Sequence, residues 1–207
     1  MKYLYIDTSS SFLYTAIVED NNCIVSFAEE YGQSLSEVAL PKIVEMFQQT
    51  KLQPKDIDKI IVVNGPGSFT GVRIGITIAK VYAWSTGIPI TTITSLEAMA
   101  ISSEEKKVHV PIINARRGYV YTAVYDEEYH ELLKPQHMKL DDLIEYLKNV
   151  HNYEFITNDE LDCDIITRSY IPNFGKIVRY FKNKEVINPH AVNPDYLKLT
   201  EAEESKL

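Results

Sequence analysis

The stretch of sequence that decides the fold reads GPGSFTGVRIG and covers residues 65–75. It follows the apolar run 60–63, typical of a buried strand, and leads into a long apolar stretch, 72–84, which predicts a helix. A glycine-rich loop between a strand and a helix often binds phosphate, because free N–H groups and the helix dipole attract an anion. The alternative is a tight turn that lets the helix pack close to a strand.

The loop lacks the features of the two common phosphate-binding motifs. The Walker A motif ends in Gly-Lys-Ser/Thr, whereas here Gly71 is followed by Val72. The dinucleotide-binding pattern is G-x-G-x-x-G, which has one residue fewer before its last glycine than this loop. It also needs an acidic residue that binds the ribose, and no Asp or Glu occurs between Asp58 and Glu97. Pro66 also removes one N–H donor. Spacing alone therefore favours the tight turn.

The first half of the chain predicts a ribonuclease-H-like lobe. Strands are expected at 3–7, 12–18, 23–29, 60–63 and 90–93, with a hairpin turn at 19–22. Ser34 and Glu37 match a capping box for a first helix, although Pro41 should kink that helix or shift its start. Gly87 predicts the end of the second helix, and Thr94 and Glu97 form another capping box. The order βββαβα with a right-handed crossover describes such a lobe.

The second half repeats the pattern on a smaller scale. Residues 6–17 align without a gap onto 113–124, and Tyr-Thr-Ala recurs identically. We predict a hairpin over 111–125, a strand near 132–133, a helix over 141–149, a strand at 153–157 and a helix near 176–182. Two related lobes define the actin/Hsp70/sugar-kinase superfamily. The predicted fold is therefore α/β and two-lobed. The first lobe covers 1–110 and the reduced second lobe covers 111–189. The chain then returns to the first lobe at 190–207 and ends in a short helix.

Composition limits the function. The 207 residues carry a formal net charge of -8, which argues against a chain that is itself the main nucleic-acid binder. Cys23 and Cys163 are too few and too far apart for a disulfide scaffold or a zinc site. No leader-like start and no apolar run of about 20 residues occur. We expect a cytoplasmic protein that does not span a membrane.

The sequence offers little for catalysis. In active ATPases of the superfamily, each lobe supplies a hairpin with an acid and glycines for Mg²⁺ and phosphates. Here the first turn keeps Asp7 but has no glycine, and the second has Asn114 in place of the acid. The five histidines include no H-x-x-x-H pair for a metal, and Ser68 is not in a G-x-S-x-G elbow. We predict no catalytic, cofactor-binding or metal-binding residue.

Four segments in the right order resemble the TsaB (YeaZ) family. Besides GPGSFTGVRIG they are YIDTS at 5–9, INARRGYVY at 113–121 and PDYLK at 194–198. The resemblance implies a non-catalytic accessory subunit in the synthesis of threonylcarbamoyladenosine on tRNA. Such a subunit binds the catalytic subunit TsaD through a helix bundle, allows the small ATPase TsaE to dock, and can form a homodimer when alone. ATP is then used by the complex, and tRNA is contacted mainly through TsaD.

The resemblance places the partner interface on the first two helices. The residues expected there are Leu40, Ile43, Val44, Phe47, Ile74, Ile78, Val81 and Tyr82. The second helix is apolar nearly all round, so it should be buried on both sides. The sheet covers one side, and either ordinary core packing or a partner covers the other. Three arginines are candidates for an anion or partner contact: Arg73, Arg116 and Arg117.

The chain departs from the family pattern at four positions. Leu35 replaces a histidine, Asn114 an aspartate, Tyr119 a glutamate and Lys198 an arginine. These changes weaken a claim to a small molecule in the cleft and leave the fold and the helix interface unaffected. The rival hypothesis is an enzyme, either an ATP-dependent kinase-like protein or a peptidase. The preference between homodimer and heterodimer, and the role of Arg116 and Arg117, stay open.

Overall fold

A computed structural model of the chain describes residues 1–161 and 165–198, and its first half contains a five-stranded sheet. The strands are β1 (Lys2–Asp7), β2 (Phe12–Glu19), β3 (Asn22–Glu30), β4 (Lys59–Val63) and β5 (Ile90–Ile93), in the order β3-β2-β1-β4-β5. The helices are α1 (Leu35–Thr50), α2 (Phe69–Thr86) and α3 (Ser95–Ser102). β1 pairs antiparallel with β2 and parallel with β4, as the βββαβα prediction requires.

The second sheet has the same topology. Its strands are β6 (Val108–Asn114), β7 (Tyr119–Tyr125), β8 (Glu131–Lys139), β9 (Tyr153–Ile156) and β10 (Thr167–Arg168), in the order β8-β7-β6-β9-β10. The helices are α4 (Leu140–Leu147), between β8 and β9, and α5 (Phe174–Phe181), after β10. The described part of the β9–β10 connection contains no counterpart of α2, so this lobe is the smaller one. The repeated order confirms the two-lobed α/β fold.

Most local signals in the sequence have the predicted effect. Asp20 and Asn21 form the β2–β3 turn with positive φ at both residues, and Gly87 ends α2 in the left-handed conformation. Thr94 and Glu97 form a capping box at α3. The Ser34 capping box is wrong, because a short 3-10 turn at Gly32–Ser34 precedes α1 and the Ser34 side chain makes no cap hydrogen bond.

Of two further predictions about helix ends, one is wrong and the other stays untested. Pro41 does not delay the start of α1, which begins at Leu35 and includes the proline. The short helix expected after residue 190 is absent from the described residues 192–198, where only a 3-10 turn at Pro189–Ala191 precedes an irregular segment. The rest of that segment, 199–207, lies outside the described residues.

Strand pairing refines the internal repeat. Thr15 pairs with Ile6, but Thr122 pairs with Ile112 and not with Ile113, the residue that the gap-free alignment equates with Ile6. The second hairpin is therefore one residue shorter than the first. The gap-free alignment therefore cannot hold along both strands of the hairpin at once.

The last helix of each lobe packs on the sheet of the other lobe. Helix α5 contacts β1, β2 and β3, and helix α3 contacts β6 and β7 as well as α5. Tyr5 of β1 meets Phe174 of α5 edge to face, with ring centroids 5.5 Å apart. Buried Lys59 of β4 donates through Nζ to the carbonyl oxygens of Lys182 (3.1 Å) and Lys184 (2.6 Å) beyond α5. The lobe boundaries given by the sequence stay a prediction.

Candidate functional site

The glycines of the 65–75 segment bring α2 against the turn after β1. A Cβ on Gly71 would lie 2.1 Å from the carbonyl oxygen of Thr8, and one on Gly75 would lie 2.4 Å from Thr8 Oγ1. A Cβ on Gly67 would lie 2.2 Å from the carbonyl oxygen of Ser9. All three distances are far shorter than a carbon–oxygen contact allows. At positions 67 and 71 the oxygen belongs to the main chain, so only glycine permits this approach there, whereas at position 75 the Thr8 side chain would have to rotate. The geometry gives the signature a packing role.

Hydrogen bonds within the segment serve the same purpose. The Ser68 N–H donates to the Ser9 carbonyl at 2.7 Å, and Thr8 Oγ1 donates to the Gly71 carbonyl at 2.7 Å. Ser68 caps α2, since its hydroxyl accepts from the Gly71 N–H at 3.2 Å. Two of the N–H groups that an anion would need are thus bonded internally, in agreement with the tight-turn alternative.

A cleft of about 520 Å³ lies between the lobes, above the two hairpin turns. Asp7 and Asn114 line it at equivalent positions, and each closes a local turn: Asp7 Oδ1 accepts from the Ser9 N–H and Asn114 Oδ1 from the Arg116 N–H, both at 2.8 Å. Asp7 is 2% exposed, and burial raises the pKa of its carboxyl group. Mg²⁺ prefers charged carboxylates as protein ligands. Asp7, whose neutral form burial favours, and the uncharged amide of Asn114 are therefore a weak pair of ligands for it.

Asp7→Asn should stabilise the protein at neutral pH. Because the pKa of Asp7 is raised in the folded state, folded protein binds more protons than unfolded protein above pH 3.8, and stability falls as pH rises through the folded pKa. The amide keeps the acceptor for the Ser9 N–H and does not ionise. We expect a higher Tm at pH 7 and a flatter dependence of Tm on pH above 4. A lower Tm at pH 7 would show that the charged carboxylate is stabilised in the fold.

The cleft gives little support to a peptidase. Among the described residues that line it, there is no histidine and no cysteine to serve as a base or a nucleophile. Ser68 lines the cleft, but its hydroxyl serves as the cap of α2. A serine nucleophile needs a base within hydrogen-bond reach.

One cluster of potential metal ligands was missed by the sequence analysis. Asp126, Glu128 and His130 place ligand atoms within 4.8 Å of one another in the β7–β8 turn. A search for H-x-x-x-H does not detect this D-x-E-x-H spacing. Asp126 is used by the turn itself, since its carboxylate accepts from the N–H groups of Glu128 and His130 at 2.9 and 2.8 Å.

The helix pair α1–α2 presents an apolar surface to solvent. Leu40 and Val44 on α1 are 53% and 47% exposed, and Val81 on α2 is 58% exposed. Trp84, which the predicted interface omitted, is 72% exposed. We call these four residues the helix-pair patch. Helix α2 therefore has one buried face and one exposed face, and the exposed face is the side that the sequence analysis left open for a partner.

The other predicted interface residues lie deeper. Ile43 and Phe47 were expected at the partner interface, but both are buried in the core of the first lobe. Their prediction as interface residues is therefore corrected. Ile74, Ile78 and Tyr82 are half-buried. Tyr82 stacks on Phe47, with ring centroids 6.1 Å apart.

The three arginines have different environments. Arg73 of α2 donates from Nε to the Tyr196 hydroxyl at 2.8 Å, and its guanidinium carbon lies 3.7 Å from the Phe69 ring centroid. Arg116 and Arg117 are exposed in the β6–β7 turn, both with positive φ, and Arg116 lines the cleft. Arg73 therefore lies on α2 with an aromatic partner and a hydroxyl partner, whereas Arg116 and Arg117 belong to a turn of the second lobe.

Known proteins resemble this chain in sequence and in fold. A family model described as TsaD, tRNA N6-adenosine threonylcarbamoyltransferase, matches residues 28–174. The tRNA threonylcarbamoyladenosine biosynthesis protein TsaB of Bacillus subtilis (strain 168) is 33% identical over 221 residues, covering 98% of this chain and 96% of that protein. TsaB of Escherichia coli (strain K12) is 31% identical over 148 residues, covering 66% of this chain and 64% of that protein.

Two solved structures share the fold. YeaZ from Pseudomonas aeruginosa superposes with a TM-score of 0.73 at 18% identity, covering 95% of this chain and 99% of that chain. A structure described as an uncharacterized protein with similarity to peptidase YEAZ from Pseudomonas aeruginosa gives a TM-score of 0.76 at 16% identity, with the same coverage. At these identities the likeness concerns the fold alone.

Two sheets of identical strand order with a cleft between them define a protein of the actin/Hsp70/sugar-kinase-like class. Within that class, the full-length similarity in sequence is specific. The chain belongs to the TsaB (YeaZ) family. No helix in the described ranges 1–161 and 165–198 has the length and apolar character needed to cross a membrane.

Proposed function

We propose that this chain acts in the biosynthesis of threonylcarbamoyladenosine on tRNA, as a non-catalytic subunit that binds TsaD. The observation that carries the proposal is the helix-pair patch. Four large apolar side chains on two adjacent helices stay about half exposed or more. Exposed apolar patches mark sites of interaction, among them interfaces with other proteins. Membership of the TsaB family supports a place in this pathway.

The patch has the form of half a helix bundle. Helices α1 and α2 pack side by side, with Ile74 and Ile78 of α2 against Leu35 and Ala39 of α1. Their outer faces then offer Leu40, Val44, Val81 and Trp84 to two further helices. A second pair of helices on TsaD, or on another copy of this chain, would complete a four-helix arrangement in which these side chains are buried.

The cleft supports an accessory role over a catalytic one. In its two hairpin turns, the side chains of Asp7 and Asn114 already accept hydrogen bonds from backbone N–H groups. Burial also favours the neutral form of the Asp7 carboxyl by raising its pKa. ATP is then used by the assembled complex and not by this chain alone. TsaE then docks on the pair formed with TsaD, and tRNA is contacted mainly through TsaD, in keeping with the net charge of -8.

Reconstitution tests the proposal directly. Purified TsaD and TsaE are incubated with tRNA, ATP and a source of the threonylcarbamoyl group, with and without this chain. We expect modified adenosine to form only when the chain is present. Equal modification without the chain would contradict a role as a required subunit.

Assays on the isolated chain test the enzymatic alternatives. ATP turnover by the isolated chain should be absent, and saturable ATP binding that disappears in Asp7→Ala would support a kinase-like protein instead. Peptide cleavage that disappears in Ser68→Ala would support a peptidase. Each result can be obtained independently of TsaD.

A further inference from the structure

The last stretch of the described residues, 188–198, which we call the closing segment, lies along the flank of α2 that faces away from α1. Ile74 and Ile78 of α2 face α1. Arg73 and Lys80 are seven residues apart, two helical turns, and therefore share the opposite flank. Both of them bind the closing segment. Helix α2 is thus held between α1 on one side and this segment on the other.

The hydrogen bonds that hold the segment are distributed over its length. Lys80 Nζ donates to the carbonyl oxygens of His190 at 3.3 Å and Val192 at 3.0 Å. Arg73 Nε donates to the Tyr196 hydroxyl at 2.8 Å. Val192, 1% exposed, anchors the segment in the apolar core beneath α2.

Aromatic contacts reinforce the attachment at the start of α2. Tyr196 stacks on Phe69, with ring centroids 5.4 Å apart and planes inclined by 24°. The Arg73 guanidinium lies over the Phe69 ring, so the cation is stacked and hydrogen-bonded at once. These groups are partly exposed, yet they fix the first turn of α2 to the end of the described chain.

The segment also reaches the glycine loop and the second lobe. The Asp195 N–H donates to the Asn64 carbonyl at 2.7 Å. Leu197 packs against a cluster that joins α3 to β7, formed by Leu96, Ala100, Ala123 and Tyr125. One short segment therefore connects α2, the loop before it and the other lobe.

We propose that this segment is a strap that fixes α2 for partner binding, with Lys80 and Tyr196 as positioning residues. The inference rests on the proposed function, because the partner face is the helix-pair patch. Neither residue belongs to that patch. Both act by holding Val81 and Trp84 in place relative to Leu40 and Val44. A patch that is already ordered avoids the entropy cost of ordering it when the partner binds.

Three variants and a control test the strap in the full chain. Lys80→Met keeps the aliphatic stem and removes both hydrogen bonds, Lys80→Arg restores a donor, and Tyr196→Phe keeps the ring and removes the hydroxyl. The control is Tyr146→Phe on α4, which removes a hydroxyl that donates to the Leu132 carbonyl at 3.2 Å, far along the chain from α2. The measurements are TsaD affinity, amide hydrogen exchange resolved by helix, and Tm.

We expect Lys80→Met and Tyr196→Phe each to weaken TsaD binding about fivefold to tenfold, the effect of one or two lost hydrogen bonds. Amide exchange should accelerate in α2 and remain unchanged in α4 and α5. Lys80→Arg should restore affinity and exchange toward those of the unmodified chain, and Tyr146→Phe should alter neither. This rescue and the confinement to α2 separate a positioning role from general destabilisation.

Two results would overturn the strap. One is unchanged exchange in α2 for both Lys80→Met and Tyr196→Phe. The other is faster exchange with TsaD affinity equal to that of the unmodified chain. Failure of the unmodified chain to bind TsaD would instead contradict the proposed function, so the two failures are distinguishable.

Discussion

Val81→Asp should abolish binding to TsaD and, with it, tRNA modification in the reconstituted mixture. Val81 is 58% exposed on α2, so the free chain can solvate the new carboxylate and stay folded. In the complex that carboxylate would be buried without a partner, which costs about 3 kcal/mol or more and weakens binding at least about 100-fold. Affinity measured by calorimetry and modified adenosine measured by mass spectrometry both report the effect.

The chain offers a matched control for this variant. Val186 is also a half-exposed valine, at 53%, but it lies beyond α5 and outside the helix-pair patch. Val186→Asp should bind TsaD as the unmodified chain does. If Val81→Asp is folded and still binds TsaD normally, the partner face is elsewhere and the interface assignment is wrong.

Gly71→Ala should strongly destabilise the folded chain. Its Cβ would lie 2.1 Å from the carbonyl oxygen of Thr8, which is main chain and cannot rotate away. We expect the free energy of unfolding to fall by about 3 kcal/mol, the upper end of overpacking penalties. Urea denaturation followed by circular dichroism measures it, with an unchanged m-value indicating that only stability has changed.

Two related variants calibrate this expectation. The Cβ added in Gly75→Ala would meet the Thr8 side chain, which can rotate away by giving up its hydrogen bond to the Gly71 carbonyl. The free energy of unfolding should therefore fall by less, about 1 kcal/mol. Thr77→Ala on the exposed side of α2 should be neutral or slightly stabilising. A Gly71→Ala variant as stable as Thr77→Ala would contradict the packing role of the signature.

The sequence predicts those parts of the fold that depend on neighbouring residues. The β2–β3 turn needs two residues that tolerate positive φ, and Asp20-Asn21 supplies them. Gly87 ends α2 for the same reason. Ser34 is the exception, because the backbone there turns into a 3-10 helix and leaves the side chain outside capping geometry.

Long-range contacts were not predictable in the same way. Strand β10 has only two residues and exists through its pairing with β9. The Arg73–Tyr196 hydrogen bond joins residues 123 positions apart, so the sequence marks Arg73 as a surface cation and gives no sign of its partner. Apolar periodicity likewise cannot separate Ile43, which is core, from Leu40, which is exposed, because both lie on the same helix within one turn.

The exchange of terminal helices between the lobes has a consequence for how the molecule comes apart. Neither sheet has a complete apolar cover from its own half of the chain, since α5 closes the face of β1–β3 and α3 contributes to that of β6–β7. Excising either half would expose the strands that the missing helix covers. The repeat that is visible in the sequence as two copies is therefore one cooperative unit in energetic terms, which should melt in a single transition and resist dissection into independently stable halves.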